Sequence, residues 1–241
     1  MKELQADLHI HTCLSPCAEK EMSPRAVVRQ ARTMGLDLIA ICDHNSAENV
    51  EAACRAGLEA GLAVIGGMEI CTREEVHVLA FFKDDHALAC AQTMVYESLR
   101  GKNEPEVFGE QVVMNERDEV AGLNSRLLIG ATDLGLEEVI QVIHSLGGMA
   151  IAAHVDRPSF SIISQLGFIR QDLGLDGVEV CSERPPEVPV ELAVLRSSDA
   201  HRLREIGCRS TRFLMGAPTA PEVEMALRRF DGRCVLASEG G

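Results

Sequence analysis

The sequence contains no tryptophan and a single tyrosine, so it offers few side chains on which a nucleobase could stack. Basic residues are also scarce, because 23 Lys and Arg stand against 37 Asp and Glu and give a formal net charge of −14. An acidic surface repels the phosphates of a duplex, which argues against duplex nucleic acid as a partner. Bound metal ions are the exception, because they reverse the charge locally.

Long apolar runs are absent as well. No window reaches the roughly 18 apolar residues that a membrane span needs, and the N-terminal stretch MKELQADLHI lacks the apolar core of a signal peptide. We therefore expect a cytoplasmic protein that does not associate with membranes. The nine cysteines form no CxxC pair, so we expect most of them to be reduced and buried. The oligomeric state is left open.

Apolar strand-like runs alternate with amphipathic helical stretches, which is the pattern of an α/β protein built from βα units. The candidate strands are ADLHIHT, LDLIAICDH, LAVIGGMEI, EVHVLAFF, GMAIAAHV, DGVEVCS and ELAVLRSSDAH. The candidate helices include SPRAVVRQARTMG, AENVEAACRAGLEAG, LGLEEVIQVIHSLGG and APEVEMALRRFDG. This length suits one core, so we expect a single domain over residues 1–241. Residues 103–132 break the alternation and predict a hairpin or a helical excursion, with a lid as the candidate role.

Histidines and acidic residues recur at the ends of these strands. His9 and His11 are two residues apart on the first strand, so both imidazoles face the same side. An isolated HxH pair is more often a pair of surface histidines than a metal site. Here, however, further metal-ligand types accompany it: His44, Glu69, His77, His154, Asp199 and His201. Because the carboxyl ends of barrel strands converge on one face, we expect one metal site with several ions.

Taken in order, the motifs DLHIHT, CDHN, GMEI, EEVHVLAFF, AAHVDRP and SSDAH resemble those of the PHP (polymerase and histidinol phosphatase) superfamily. The resemblance covers nearly the whole chain. It implies a distorted seven-stranded βα barrel whose C-terminal face holds two or three divalent ions, namely manganese, iron or zinc, and hydrolyses phosphoesters. The implied ligands are His9, His11, Glu69 and Asp199 for one ion, Glu69, His77 and His154 for a second, and His44 and His201 for a third.

The loop after the HxH pair departs from the family pattern. An SDG aspartate usually completes the third group, but here Pro16 follows Ser15, and proline offers no side-chain ligand. Cys17 is next, and its thiolate would favour zinc or iron. Glu19 and Glu21 offer carboxylates, and we favour Glu21 because it lies closest to the start of the following helix. Water in this position is a further alternative.

The resemblance also implies how such a site works. Bridged divalent ions lower the pKa of a shared water, which gives a metal-activated hydroxide, with Glu69 and Asp199 at the centre of the reaction. Arg157 and Arg202 each follow a ligand motif and are the candidates for binding phosphate, with a surface ion pair as the alternative for each. Asp43, adjacent to His44, is the candidate for orienting a ligand imidazole, with a loop hydrogen bond as the alternative.

Two other classes of protein fit part of the pattern. Amidohydrolase-type enzymes also begin with HxH, but many bridge their metals with a carboxylated lysine, and the chain has only four lysines. A metal-binding scaffold without activity is supported only by the missing SDG aspartate. We therefore expect a phosphoesterase. The acidic composition and the few aromatic residues favour a small phosphomonoester or nucleotide over a polymer as its substrate.

Overall fold

The computed structural model describes residues 1–182 and 186–237, and the strands and helices below are those found within these residues. The strands are β1 (Lys2–Ile10), β2 (Leu38–Ile41), β3 (Ala63–Cys71), β4 (His77–Phe81), β5 (Val112–Met114), β6 (Val120–Leu123), β7 (Met149–Ala152), β8 (Gly177–Glu179), β9 (Ala193–Leu195), β10 (Thr211–Met215) and β11 (Cys234–Val235). The α-helices are α1 (Pro24–Thr33), α2 (Val50–Ala60), α3 (Asp85–Ser98), α4 (Pro105–Phe108), α5 (Leu136–Ser145), α6 (Ile162–Leu166) and α7 (Ala220–Leu227).

Nine of the described strands form one sheet in the order β11-β10-β1-β2-β3-β4-β7-β8-β9, and β5 pairs only with β6. The seven strands that the sequence predicts are β1 to β4 and β7 to β9. They curve into a barrel that closes where Ile10 forms a parallel bridge with Ala200, in the segment after β9. The α/β barrel is thus confirmed. Its strand β4 runs antiparallel to both neighbours, so the sheet is mixed.

The nine-stranded sheet contains two strands, β10 and β11, in addition to the seven predicted. β10 pairs antiparallel with the first half of β1, and β11 pairs with β10. At this end of the barrel β10 also approaches the end of β9, since the Arg196 amide donates to Oγ1 of Thr211 at 2.8 Å. Strands β10 and β11 therefore fill the gap between β1 and β9 at the end of the barrel opposite the bridge between Ile10 and Ala200.

The helices form where the sequence supplies caps and an apolar face. In α1, the Ser23 hydroxyl accepts a hydrogen bond from the Ala26 amide at 3.3 Å, and Pro24 occupies the first turn. Val27, Val28 and Ala31 of this helix are buried, and they belong to an outer cluster between the sheet and the helices. An inner cluster fills the barrel and includes residues of α7. No helix in the described part of the chain is long and apolar enough to cross a membrane.

Candidate metal centre

A β-bulge in β1 determines which way the first two histidines point. Ala6 pairs with Leu38 on β2, whereas Ile10 pairs with Ile41, so four residue steps on β1 oppose three on β2. Ala6 and Leu38 belong to the inner cluster, and Ile10 and Ile41 belong to the outer one. The extra residue on β1 exchanges its two faces. The histidines on either side of Ile10 therefore point into the barrel.

The other ligand candidates reach the same end of the barrel. His44 follows β2, and it forms an isolated bridge with Glu69 near the end of β3. His77 is the first residue of β4, which runs antiparallel to β3, so the start of this strand lies at the edge where β3 ends. His154 follows β7, and the segment after β9 supplies Asp199. The structure thus brings the predicted ligands together.

Glu69 lies at the centre of this cluster and is 1% exposed. Its Oε1 atom lies 2.8 Å from Nδ1 of His77 and 3.1 Å from Nε2 of His154. Its Oε2 atom lies 2.9 Å from Nδ1 of His44 and 3.4 Å from Nε2 of His11. The two oxygens of one carboxylate therefore face different histidines, an arrangement that suits a carboxylate shared by two cations.

Asp199 joins the histidines from β1. Its Oδ1 atom lies 3.1 Å from Nε2 of His11 and 3.3 Å from Nε2 of His9. His201 stacks on His11, with 4.1 Å between the ring centroids. Asp199 and His154 have φ angles of +51° and +29°, in a region that residues other than glycine rarely adopt. Such strained residues concentrate at functional sites.

The donor atoms fit divalent cations. In three groups of residues, the potential ligand atoms all lie within 4.8 Å of one another. These groups are His11 with His44 and His201, His9 with His11 and Asp199, and His44 with Glu69 and His77. Ligands at about 2.0 to 2.2 Å from one ion lie about 3 to 3.5 Å apart, close to the 2.8 to 3.4 Å measured around Glu69. Among the described residues, Oε2 of Glu69 is buried and accepts no hydrogen bond of regular geometry, although Nδ1 of His44 lies 2.9 Å away. A cation bound by this oxygen would offset the cost of its burial.

Both carboxylates of the cluster are ionised in this environment. Burial raises the pKa of Glu69, but the charges of His77 and His9 outweigh it and hold the pKa well below its usual range. Burial acts in the same way on Asp199, and its histidine neighbours hold its pKa well below the usual range. Imidazoles and ionised carboxylates together suit zinc, manganese or iron.

Glu179 supports the cluster through its contact with His9, and the sequence analysis missed it. Both of its carboxylate oxygens lie 3.1 Å from Nδ1 of His9, and Oε1 accepts the backbone amide of His154 at 3.2 Å. A carboxylate can only accept, so Nδ1 of His9 carries the proton and Nε2 is free to bind a cation. Glu179 ends the strand in DGVEVCS, and an acidic residue at the end of a buried strand was the available signal.

Asp43 is linked to a ligand imidazole through Ser15. Its carboxylate accepts hydrogen bonds from the Thr12 amide and from the hydroxyls of Thr12 and Ser15, each at 2.7 Å. The Ser15 hydroxyl lies 2.9 Å from Nδ1 of His11 and also accepts the His44 amide at 3.1 Å. Because Ser15 donates to Asp43, it accepts from Nδ1 of His11. Asp43 thus contacts the imidazole of His11 through Ser15, and its role in orienting a ligand imidazole stays a prediction.

The loop after β1 carries Cys17 near His44 and His201. Both imidazoles affect the pKa of its thiol. Although the residue as a whole is exposed, desolvation of the thiol raises its pKa, and the two histidines outweigh this effect and lower the pKa to about 6. Glu21 is exposed at the surface. The sequence favours Glu21 for the open ligand position, whereas the electrostatic interaction with His44 and His201 favours Cys17.

Residues 103–132 contain the short helix α4 and the hairpin of β5 and β6, and they pack on the same loop. The Val112 amide donates to the carbonyl of Cys13 at 3.0 Å. Gly109 has a φ of +101° and approaches the backbone of Pro16 so closely that a Cβ atom would clash there. The segment thus contains both a short helix and a hairpin and packs on the loop that carries Cys17, and its role as a lid stays a prediction.

The two arginine candidates differ in position. Nη2 of Arg157 lies 2.5 Å from Oδ2 of Asp199, and the side chain is 38% exposed. Nε of Arg202 lies 3.0 Å from Oε1 of Glu19, and both of these side chains are about half exposed. Arg157 is therefore placed at the cluster with donors open to solvent, whereas Arg202 forms a surface ion pair that also occupies Glu19.

Two solved structures have a similar fold. The lesion-specific endonuclease Q from Pyrococcus furiosus gives a TM-score of 0.75 at 19% identity, over 97% of this chain and 58% of that chain. Endonuclease Q in complex with a duplex substrate, with an abasic lesion at the active site, gives a TM-score of 0.73 at 18% identity and the same coverage. At these identities the likeness shows the fold.

Two curated proteins are similar in sequence. A 5′-3′ exoribonuclease of Haemophilus influenzae is 30% identical over 105 residues, which are 42% of this chain and 37% of the relative. An uncharacterized protein of Methanocaldococcus jannaschii is 29% identical over 185 residues, which are 73% of this chain and 81% of that protein. The chain thus spans about a third of the exoribonuclease and 58% of the endonuclease.

These comparisons overturn the expectation of a small phosphorylated substrate and of no duplex partner. A protein with this fold has been solved with a duplex substrate at its active site, and a relative in sequence is an exoribonuclease. The expectation was wrong because the net charge of −14 describes the whole surface. Binding of nucleic acid depends on the charge near the site, which cations and a neighbouring arginine change.

The family comparison agrees with the geometry. The family profile described as the PHP domain matches residues 7–165, about two thirds of the chain. The matched range includes the bulged end of β1, the central Glu69 and His154, and the geometry adds Asp199 and His201 beyond it. With this barrel, this ligand cluster and this match, the chain belongs to the PHP domain family of metal-dependent hydrolases.

Proposed function

We propose that this protein hydrolyses phosphodiester bonds of nucleic acid with the help of bound divalent metal ions. The observation that carries the proposal is the position of Glu69, whose two carboxylate oxygens face His77 and His44 at 2.8 and 2.9 Å. A carboxylate shared in this way suits adjacent cations, which activate water and neutralise charge on a phosphoryl group when they are bound. The names of the exoribonuclease and the endonuclease support nucleic acid as the substrate.

We assign the ligands in three groups, which makes the centre trinuclear. The first is His9, His11, Glu69 and Asp199, the second is Glu69, His77 and His154, and the third is His44, His201 and Cys17. We place Cys17 in the position of the SDG aspartate because His44 and His201, the two histidines of the third group, both lower the pKa of its thiol. A thiolate in that group favours zinc or iron over manganese there.

The other side chains of the site bind the substrate or orient the ligand histidines. Arg157 has donors open to solvent beside Asp199, so it binds a phosphoryl oxygen of the substrate and stabilises negative charge that develops there. Glu179 keeps the proton on Nδ1 of His9. Ser15 and Asp43 keep the proton on Nδ1 of His11, so that Nε2 of both histidines faces the cluster.

An acidic protein can bind a polyanion at such a site. Bound divalent cations and Arg157 place positive charge where the scissile phosphate lies, and the surface charge is screened over about 8 Å at physiological ionic strength. The acidic surface then limits how much nucleic acid the protein contacts. We therefore expect binding through a few nucleotides around the site, with a modest dependence on salt.

Amide hydrolysis has less support as an alternative. Its usual bridge is a carboxylated lysine, whereas Glu69 occupies the centre of this cluster. Two of the four lysines form ion pairs elsewhere, since Lys20 pairs with Glu110 and Lys83 pairs with Glu224, each at 2.6 Å.

The test is cleavage of short labelled oligonucleotides by metal-stripped protein that has been reloaded with zinc, manganese or iron. Single-stranded RNA, single-stranded DNA and duplex DNA are compared with a phosphomonoester, and Glu69→Gln serves as the inactive control. Metal-dependent cleavage of at least one oligonucleotide supports the proposal. Turnover of the monoester alone, or of an amide substrate, contradicts it.

A further inference from the structure

Phe160 is an exposed aromatic residue at the edge of the metal centre. Its ring stacks on the imidazole of His77, with 4.8 Å between the centroids and 24° between the planes. The residue is 41% exposed, although most phenylalanines are largely buried. His77 in turn lies 2.8 Å from the central carboxylate of Glu69. One apolar ring is therefore in contact both with the polar cluster and with solvent.

The backbone holds Phe160 in this position against a local preference. Its φ of +55° lies in the left-handed region, which a bulky residue rarely adopts because the backbone is strained there. Two hydrogen bonds fix the segment, because the His77 amide donates to the Phe160 carbonyl at 3.0 Å and the Ser161 hydroxyl donates to the Arg157 carbonyl at 2.8 Å. The exposed position of the ring is thus determined by the fold.

The same loop carries three different functions of the site. His154 belongs to the ligand cluster, Arg157 contacts Asp199 and Phe160 covers His77. Arg157 and Phe160 are three residues apart, so their Cα atoms lie within about 11 Å of each other even if the chain is fully extended. A nucleotide has the same two parts at short range, a phosphate that an arginine binds and a base with a flat apolar face.

From this arrangement we propose that Phe160 is a stacking platform for the nucleobase next to the scissile phosphate. The inference rests on the proposed function, and it names the part of the substrate that the loop recognises. Base stacking on an aromatic ring tolerates all four bases, so Phe160 positions a strand without reading its sequence. The scarcity of aromatic residues thus does not preclude stacking, because one ring at the site is sufficient.

The absence of tryptophan from the chain allows a direct test. Phe160→Trp introduces a single tryptophan while keeping an aromatic ring at this position. Metal-loaded variant protein is mixed rapidly with a short oligonucleotide, and tryptophan emission is recorded before turnover. We expect quenching with the normal strand and little quenching with a strand that has an abasic residue beside the scissile phosphate. Equal quenching by both strands would overturn the proposal.

Binding and kinetics give the second readout. Phe160→Leu removes the ring, and we expect affinity for the normal strand to fall by roughly 5- to 150-fold, with a higher KM, a smaller change in kcat and no change for the abasic strand. Phe230→Leu is the matched control, since Phe230 is an exposed phenylalanine just past α7. Phe160→Trp should retain the affinity of the native protein.

Two further outcomes separate the possible failures. If Phe160→Leu loses bound metal and shows the same preference between the two strands as the native protein, the ring only shields His77 and the stacking proposal is wrong. If the native protein cleaves no oligonucleotide while Phe160→Trp still reports stacking, the proposed reaction fails and the base-binding surface stands.

Discussion

Glu179 holds the imidazole of His9 by placing both carboxylate oxygens 3.1 Å from Nδ1. The two residues are 170 positions apart in the chain, and both are completely buried. The contact joins the end of β8 to the bulged end of β1, and it leaves Nε2 of His9 facing Asp199 and Glu69. Carboxylates in this position fix the tautomer of a ligand histidine and raise its basicity.

Replacing Glu179 by Gln should therefore weaken metal binding without unfolding the protein. The amide can still accept a hydrogen bond from His9, but it lacks the charge that favours the proton on Nδ1. We expect the affinity for metal to fall by about 10- to 100-fold, as measured by competition with a chelator. Glu137→Gln is the control, since that exposed side chain pairs with Arg170 at the surface. Unchanged affinity in Glu179→Gln would show that the contact does not tune His9.

Replacing Glu69 by Gln should remove the shared ligand at the centre of the cluster. We expect less bound metal in elemental analysis and a loss of activity greater than the roughly 100-fold that a supporting residue costs. Circular dichroism should show a folded protein, because the barrel core is separate from this side chain. Glu59→Gln, at an exposed ion pair with Arg25, is the matched control. Full metal content in the Glu69 variant would contradict the bridging assignment.

The two arginines next to ligand motifs should behave differently. Arg157→Ala removes a donor placed beside Asp199, and we expect kcat/KM to fall by about 100-fold, with partial recovery in Arg157→Lys. Arg202→Ala breaks an exposed ion pair with Glu19, which is worth about 0 to 1 kcal/mol of stability, and should leave the kinetics near those of the native protein. The three variants are compared by steady-state kinetics with an oligonucleotide that the native protein cleaves. Equal losses of kcat/KM in Arg157→Ala and Arg202→Ala would contradict the different roles of the two arginines.

Cys17 and Glu21 can be compared in the same way. Cys17→Ser removes the thiol whose pKa His44 and His201 lower, so we expect one ion fewer per chain in elemental analysis after extensive dialysis. Glu21→Gln should keep the metal content of the native protein, because that carboxylate is exposed. The reverse pattern would support Glu21 as the ligand and an alternative arrangement of the loop in the metal-bound protein.

Most of the barrel and of the cluster could be predicted from the sequence because both depend on local patterns. Apolar strands alternate with amphipathic helices, and ligand residues such as Glu69 and His154 stand at strand ends, where a barrel brings them together. β10 and β11 were missed because their pairing depends on partners at the opposite end of the chain. The single-domain prediction for residues 1–241 stays a prediction.

The finer features of the site depend on contacts that no local pattern specifies. The bulge in β1 follows from its register with β2, and the support of His9 follows from a glutamate in a distant strand. The loop after β1 is closed by hydrogen bonds from the Met22 amide to Glu19 and from the Cys13 amide to Met22, a geometry that leaves Glu21 exposed. The sequence favoured Glu21 only because of its position close to the following helix. Position along the chain does not show in which direction a side chain points.

The most direct test of the account is a metal titration that follows cleavage and bound metal together. Metal-stripped protein is titrated with zinc or manganese, and cleavage of a short oligonucleotide is measured beside elemental analysis at each step, with His9→Ala as the control. We predict that cleavage is absent without metal, rises as the ions around Glu69 bind and does not appear in the control. Cleavage that persists after stripping, or that His9→Ala retains, would contradict a metal-dependent phosphodiesterase centred on Glu69.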